Sequence, residues 1–531
     1  MVNESITAIF LNFAFLLELK GENPFKIRAF QNTARVLEEQ TAPVEELVTS
    51  GAIRSIPGIG KGSQGIIEEF VKTGAVKEFD VLVAEFPEGM LDLQKVRGLG
   101  PKKIKALYEA LSIGSLAELE YACGENRLLD LKGFGKKTQD NILKSISELK
   151  LNRGKLLLPQ AVYEASVITD KLSKLPGVRG VYVVGELRRS CELIASLDFL
   201  LDMESEKNPP LPHFAEYTEL PVQVTFSHEA ECLGDEIVRL TGTDAFVAAL
   251  PEAKKSANEK DFFEARKLPF VFPEFREAAL PAKIPELVEE KDIRGVFHFH
   301  TTASDGANSL EEMLRAAKRL GFEYVGVSDH SQTAIYANGL KDANLRVQRA
   351  EIRTLQEKFP EIKIFHGIES DILADGSLDY PEEILAKFDF VIASVHSQFK
   401  MPREQMTARI CRALENPHTT WLGHATGRLL LGRSGYELDM EQVLKTAEKC
   451  GKAIELNANP HRLDLDWRWL PDAKRRGISI GIFPDAHSAR GMEDFRYGVK
   501  MAQKGGLTKQ DVSNTKSLKE MSDWLQRSKS V

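Results

Sequence analysis

Seven short apolar runs in the second half of this chain each end in side chains able to bind a metal ion. They are VFHFH (His298, His300), YVGVSDH (His330), FHGIESD (Glu369), FVIASVH (His396), TTWLGH (His424), AIELNAN (Glu455, Asn457) and ISIGIFPDAH (Asp485, His487). Six of the eleven histidines stand at these ends. One histidine there would mean little. Six, with carboxylates interleaved, offer the mixed nitrogen and oxygen donors that suit Mn2+, Zn2+ or Fe2+ better than Mg2+, which prefers oxygen alone. The chemistry of such a set is that of an enzyme with a polynuclear metal centre.

Donors from seven runs meet only if the runs are parallel strands whose C-terminal ends share one face, as in an α/β barrel. Residues 290–531 alternate strand and helix signals seven times, which is the expected signature. The period-two spacing of His298 and His300 predicts both imidazoles on one side of one strand. A linker at 279–292, with Pro281, Pro285 and an acidic cluster, leads into this region. Residues 155–285 read as mixed α and β, with strands expected in 178–203 and 220–226 and a turn at 241–246. The whole chain of 531 residues suits two to four domains, and its net charge of −8 excludes a polybasic nucleic-acid sponge but not a local binding patch. Five cysteines without a CxxC pair suggest neither a disulfide framework nor a thiolate zinc site, and fit a reducing cytoplasm. The apolar stretch from Ile6 to Leu19 has helical spacing and reads as a core helix, not a signal peptide; no run has the length of a membrane span.

Residues 1–150 look helical and carry an internal repeat: IPGIGKG (56–62), VRGLGPKK (96–103) and LKGFGKKT (131–138). Each reads apolar–x–Gly–apolar–Gly followed by lysine and a helical pattern, a helix-hairpin-helix. The glycine pairs Gly58/Gly60, Gly98/Gly100 and Gly133/Gly135 permit a tight turn. The turn N–H groups, the next helix N-terminus and Lys61, Lys102 and Lys136 then form a cradle for an anion, usually a DNA phosphate. A hairpin that only packs is the alternative; three copies with trailing lysines favour sequence-independent, salt-sensitive DNA binding.

The order of parts resembles the bacterial family X DNA polymerases, which join a helix-hairpin-helix region, a nucleotidyltransferase palm and a C-terminal PHP (polymerase and histidinol phosphatase) domain. The motifs GENPFKIRAFQNTARVLE, LPFVFPEFRE, DIRGVFHFHTTASDGANS, GIESDILADGSLDYP, GHATGRLL and ELNANPHRLDL carry the likeness, which covers nearly the whole chain. It implies a multidomain fold: a helical region over 1–150, an α+β palm over 155–285 and a distorted (β/α)7 barrel over 290–531. It also implies nine ligands for two or three divalent ions: His298, His300, Asp305, His330, Glu369, His396, His424, Asp485 and His487, with Glu369 bridging. The implied chemistry is metal-assisted phosphoester hydrolysis. Arg428 and Arg462 are candidate phosphate contacts, with an intradomain ion pair the equal alternative for each. Asp329 and Asn457 could orient ligands, and His366 and His461 read as structural.

The middle region departs from the family. Gly185-Glu186 stands where the family has Gly-Ser. Ser196 and Asp198 stand where it has two aspartates, and Gln223 stands where it has the third. Two-metal phosphoryl transfer needs several carboxylates, so the palm is expected to be a remnant without polymerase activity. Ile66 occupies the position of the family's Schiff-base lysine, so lyase chemistry is not expected. The expected activity is therefore a Mn2+-dependent 3′-5′ exonuclease acting on single-stranded DNA or a 3′ end. A small-molecule phosphatase of the histidinol-phosphate type, a residual gap-filling polymerase and a non-catalytic DNA-binding scaffold are the alternatives.

Overall fold

The computed structural model describes residues 2–528 apart from Glu39, Thr41, Glu88, Asp130, Arg153 and Ala282. The chain divides into two compact units, residues 1–153 and 154–531. The first is helical. Ile6, Phe10, Phe13 and Leu16 of the opening helix are buried, as the spacing of that stretch predicts, and Phe10 and Phe13 pack on Phe30 of the next helix. The three hairpins adopt one geometry. Gly58, Gly98 and Gly133 lie at φ of 92°, 82° and 91°, a left-handed backbone that favours glycine. Gly60 and Gly100 then cap the helices Lys61–Thr73 and Pro101–Leu111, and the third helix starts at Lys136. Between each glycine pair an apolar side chain (Ile59, Leu99 or Phe134) plugs the core and aims the turn outward. Ile66 is buried on the helix after the first hairpin.

The second unit opens with a small sheet in which Val178–Val184 pairs antiparallel with Leu197–Met203, and Leu197–Met203 pairs parallel with Val222–Ser227. Helix Leu158–Leu172 covers one face through Ala161, Ala165 and Ile168. The expected turn at 241–246 is in fact the start of a short helix, Asp244–Ala248, because the Thr243 side chain caps it.

Among the described residues, seven parallel strands follow in sequence order, from Gly295–Val296 to Ile480–Phe483. A bridge between Phe299 and Ala486 laces the first strand's end to the last, which nearly closes the barrel. Its interior is filled by Phe297, Phe365, Phe390, Trp421 and Phe483. They fit because glycines stand opposite them: a Cβ at Gly326 would lie 2.1 Å from Phe297, and one at Gly367 2.2 Å from Phe390. Met521 and Leu525 of the last helix join this aromatic core.

The boundary expected near 285–290 does not separate compact units. Palm and barrel fall in one compact unit, and ion pairs join them. Lys504 of the barrel, its side chain fully buried, donates to the Arg189 carbonyl at 2.9 Å and pairs with Glu277, and Arg468 meets Glu192 at 3.1 Å.

Candidate metal centre

All nine ligand candidates converge at the C-terminal ends of the barrel strands. Among the described residues, the groups of three or more donors that could hold a metal ion are drawn from these nine side chains and no others. Glu369, at the end region of strand Lys363–Asp371, is central. Its Oε1 lies 3.2 Å from His298 Nε2, 3.0 Å from His424 Nε2 and 3.2 Å from His396 Nε2. Its Oε2 lies 2.9 Å from His330 Nδ1 and 3.6 Å from His300 Nε2. Asp485 Oδ1 sits 3.2 Å from His300 and 3.4 Å from His298, and Asp305 Oδ2 sits 3.5 Å from both His330 and His487. Two donors each about 2.1 Å from one ion lie about 3.0–3.4 Å apart at tetrahedral or octahedral angles, so these separations suit shared cations.

Unsatisfied polar atoms give a second sign of fit. His298 Nε2, His300 Nδ1, His330 Nδ1, His424 Nδ1 and Glu369 Oε2 are buried without a hydrogen-bond partner. Buried polar atoms without partners are costly, and cations among them would satisfy several at once. The cluster grades from a dry floor to a wet rim: His298, Glu369 and His424 are buried, whereas the Asp305 and His487 side chains are 31% and 43% exposed.

Electrostatics divides the imidazoles. Burial and the neighbouring His487 and His330 push His300 down to about 3, and burial with Arg462 nearby pushes His424 to about 4. Burial would also lower His298 and His330, but the surrounding carboxylates outweigh it. They hold His298 well above its ordinary value and His330 at about 10. Burial opposes ionisation of Glu369 too, yet His396, His298 and His330 keep it well below the usual carboxylate range.

The two histidines of the first run reach the cluster by a route that strand alternation does not describe. The strand ends at Val296, and His298 has a left-handed φ of 56°; Asp485 at 50° and His424 at 21° share that sign. Left-handed non-glycine residues are sparsely populated conformations, and they gather at functional sites.

Four further residues settle the orientation of the donors. Glu455 accepts from His298 Nδ1 at 2.5 Å and from the His424 backbone N–H at 2.6 Å. Asp371 accepts from His396 Nδ1 at 2.6 Å. Each contact leaves Nε2 of that ring facing Glu369. Neither carboxylate was assigned such a role from sequence, although Glu369-x-Asp371 has the strand period that puts both on one face. Asn457 donates to Asp485 Oδ2 at 3.0 Å. Asp329 accepts from the Thr301 N–H, the Thr301 hydroxyl and Gln348, which fixes the turn carrying Asp305. His366 lies away from the cluster, bonded to Gln348 at 3.1 Å.

The two arginines differ. Arg428 donates to the Arg462 carbonyl at 2.8 Å, to the Leu463 carbonyl and to Asp466, so its guanidinium is held by neighbouring groups of the barrel. The ion-pair alternative describes it. Arg462 places Nε 3.3 Å from Asp485 and leaves a buried Nη1 without a hydrogen-bond partner.

On the palm sheet the arrangement is sparse. Asp198 and Gln223 are register partners on adjacent strands, and the Ser196 hydroxyl donates to Asp198 at 3.1 Å. Glu186 folds back to accept the Ala195 backbone N–H at 2.9 Å. Gly185 has a φ of 66°, and a Cβ there would lie 2.3 Å from Asp198 Oδ2.

In comparisons with known proteins, the PHP domain family model matches residues 297–459. A helix-hairpin-helix domain model matches 1–76, and a SAM-like helix-hairpin-helix tandem model matches 90–148. A probable phosphatase of Thermoanaerobacter sp. (strain X514) is 32% identical over 41% of this chain and 89% of its own length. The crystal structure of a histidinol phosphate phosphatase from Lactococcus lactis, complexed with zinc, L-histidinol and phosphate, covers 39% of this chain and 93% of its own. Its identity is 19% and its TM-score 0.32. The DNA polymerase/3′-5′ exonuclease PolX of Bacillus subtilis (strain 168) is 34% identical over 99% of this chain and 100% of its own. Helical hairpins, palm and PHP barrel thus match in one continuous alignment, and the chain belongs to the bacterial family X DNA polymerases with a C-terminal PHP domain, the DNA polymerase/3′-5′ exonuclease PolX family.

Proposed function

We propose that this protein is a metal-dependent 3′-5′ exodeoxyribonuclease whose working site is the barrel cluster, and that its palm no longer polymerises. The observation that carries the reading is the convergence of nine donors, five of whose atoms are buried without hydrogen-bond partners. The nine ligands would be His298, His300, Asp305, His330, Glu369, His396, His424, Asp485 and His487. Two or three divalent ions, Mn2+ foremost, with Zn2+ or Fe2+ as alternatives, would activate water and neutralise phosphate charge there. Glu455 and Asp371 hold His298 and His396 in one tautomer and aim their Nε2 atoms inward. Asp305 and His487, at the open rim, are the donors a phosphodiester meets first. Arg462 supplies a guanidinium for a phosphate oxygen.

The hairpins would bring the DNA. Gly60, Gly98, Gly100, Gly133 and Gly135 have open space where a Cβ would stand, so a phosphate backbone can approach their N–H groups, and Lys61, Lys102 and Lys136 are exposed beside them. Loss of polymerisation is supported by the palm. Asp198 faces Ser196 and Gln223 in place of further carboxylates, and Glu186 would repel a nucleotide's phosphates.

The test incubates the protein with Mn2+ and a 5′-labelled single strand, with and without dNTPs, beside His298→Ala and Asp485→Ala. A ladder of shortened products that disappears in both variants is expected. Primer extension would overturn the reading of the palm. Turnover of histidinol phosphate with no action on DNA would favour a small-molecule phosphatase, the reading to which the likeness to probable phosphatases points.

A further inference from the structure

At the barrel mouth a short turn, Ile335–Ala337, exposes two large apolar side chains side by side: Ile335 is 86% exposed and Tyr336 70%. Ala334 and Ala337 on either side are buried, so the turn itself is packed while these two large apolar side chains are given to solvent. The Tyr336 ring lies 6.0 Å from the His330 ring and 6.4 Å from the His396 ring, centre to centre. It therefore stands beside the cluster.

The turn is also held in place. Leu340 N–H donates to the His330 carbonyl at 2.8 Å, and the Thr333 hydroxyl donates to Asp371, the carboxylate that orients His396. At Gly339 a Cβ would lie 1.9 Å from the Ser331 carbonyl oxygen, so the backbone closes there at a distance only glycine allows. An aromatic ring presented on a fixed turn loses little freedom when a flat partner covers it. Beside a site that takes a phosphodiester, the flat partner covalently tethered to the phosphate is a nucleobase.

We propose that Tyr336, backed by Ile335, is the stacking platform for the base of the 3′-terminal nucleotide, so that the site selects a base-bearing end. This rests on the exonuclease reading above. Stacking is indifferent to base identity because every base has a π-face, which suits an enzyme that must remove each nucleotide in turn. Tyr336 is a positioning residue: it holds the base while the donors beneath it act on the phosphate.

The test compares two 5′-labelled single strands identical except that one ends in a normal 3′ nucleotide and the other in an abasic tetrahydrofuran residue. Both are given to the Mn2+-loaded wild type, Tyr336→Ala and Tyr336→Phe, and kcat/KM is read for each. The wild type should prefer the base-bearing end by roughly five- to a hundredfold. In Tyr336→Ala that ratio should collapse toward one through loss on the base-bearing strand, with bound metal unchanged. Tyr336→Phe should keep the preference. Equal ratios in wild type and Tyr336→Ala overturn the platform while leaving the exonuclease reading intact. A Phe variant as poor as the Ala variant overturns stacking in favour of a hydroxyl contact. Failure of the wild type to shorten either strand sinks the exonuclease reading, and this inference with it.

Discussion

At the barrel mouth Glu369 has five imidazoles within 3.6 Å of its two oxygens. On the palm sheet Asp198 has a serine hydroxyl and, on the next strand, a glutamine register partner. Both places put a carboxylate at the head of a sheet in the same compact unit. A cation needs several donors from different strands at once, and at the barrel mouth every neighbouring strand brings one. The palm strands pair in full register with few donors beside Asp198. Strand pairing depends on the backbone and cation binding on a few side chains, so a sheet's register does not by itself make a cation site.

The largest expected effect breaks this contrast directly. His298→Ala removes a donor from the cluster floor and leaves Glu455 buried without the imidazole it accepts from. DNA shortening should fall by at least about a hundredfold, read on a labelled strand. The same assay on Gln223→Ala, in the palm, should stay within about twofold of wild type, as for a surface change away from any site. Equal losses in both variants would mean that the palm feeds the hydrolytic site and that the two regions are not separable.

Next come the carboxylates that orient the rings. Glu455→Gln and Asp371→Asn should each weaken metal binding by about 10–100-fold, measured by calorimetric titration of the metal-free protein. The pH dependence of that titration has a fixed sign. Without metal, His330 at about 10 and His298, held well above its ordinary value by the surrounding carboxylates, keep protons at neutral pH, and carboxylates raise His396 and His487 as well. Cations must displace those protons, so affinity should fall as pH drops from 8 to 6, by up to about tenfold per unit for each proton displaced. Flat affinity over that range would show the imidazoles already neutral.

Much of this was legible in the sequence because barrel strands end abruptly and their last residues advertise the mouth. The family resemblance picked out the nine donors and put Asp198 and Gln223 on successive strands without fixing their register, and a thrice-repeated motif marked the hairpin glycines. The rest followed from features with no period. His298 turns by a left-handed φ that an L-residue does not announce. Arg428 and Arg462 look alike in sequence, and only the carbonyls around Arg428 decide that it is a strut. Ile335 and Tyr336 sit on a turn that no hydrophobic pattern marks. Lys504 and Glu277, which join barrel to palm, lie far apart in sequence.

A smaller effect tests the hairpins. Gly60 and Gly100 have ordinary φ values of −77° and −88° and empty space at the Cβ position, whereas Gly98 has a φ of 82°. Gly60→Ala with Gly100→Ala should weaken DNA binding several-fold without lowering thermal stability, because the methyls block only the approach of a phosphate. Gly98→Ala should cost about 1 kcal/mol in stability as well. Unchanged DNA affinity in the first variant would remove the cradle from the account.

The smallest effect is on the palm carboxylate itself, and its sign is informative. Burial raises Asp198, with Glu186 adding to the rise and the Ser196 hydroxyl opposing it, and its Oδ1 is buried without a partner. A carboxyl raised on folding contributes stability below its unfolded pKa of about 3.9 and loses that contribution as pH climbs through the folded value. At neutral pH the ionised side chain is therefore a slight burden on the fold. Asp198→Asn should leave DNA shortening unchanged and raise the unfolding midpoint by no more than about 2 °C, with the gain fading as pH falls toward 4. A carboxylate still holding a cation would behave in the opposite way: the asparagine variant would unfold earlier, and adding Mn2+ would stabilise the wild-type palm but not the variant.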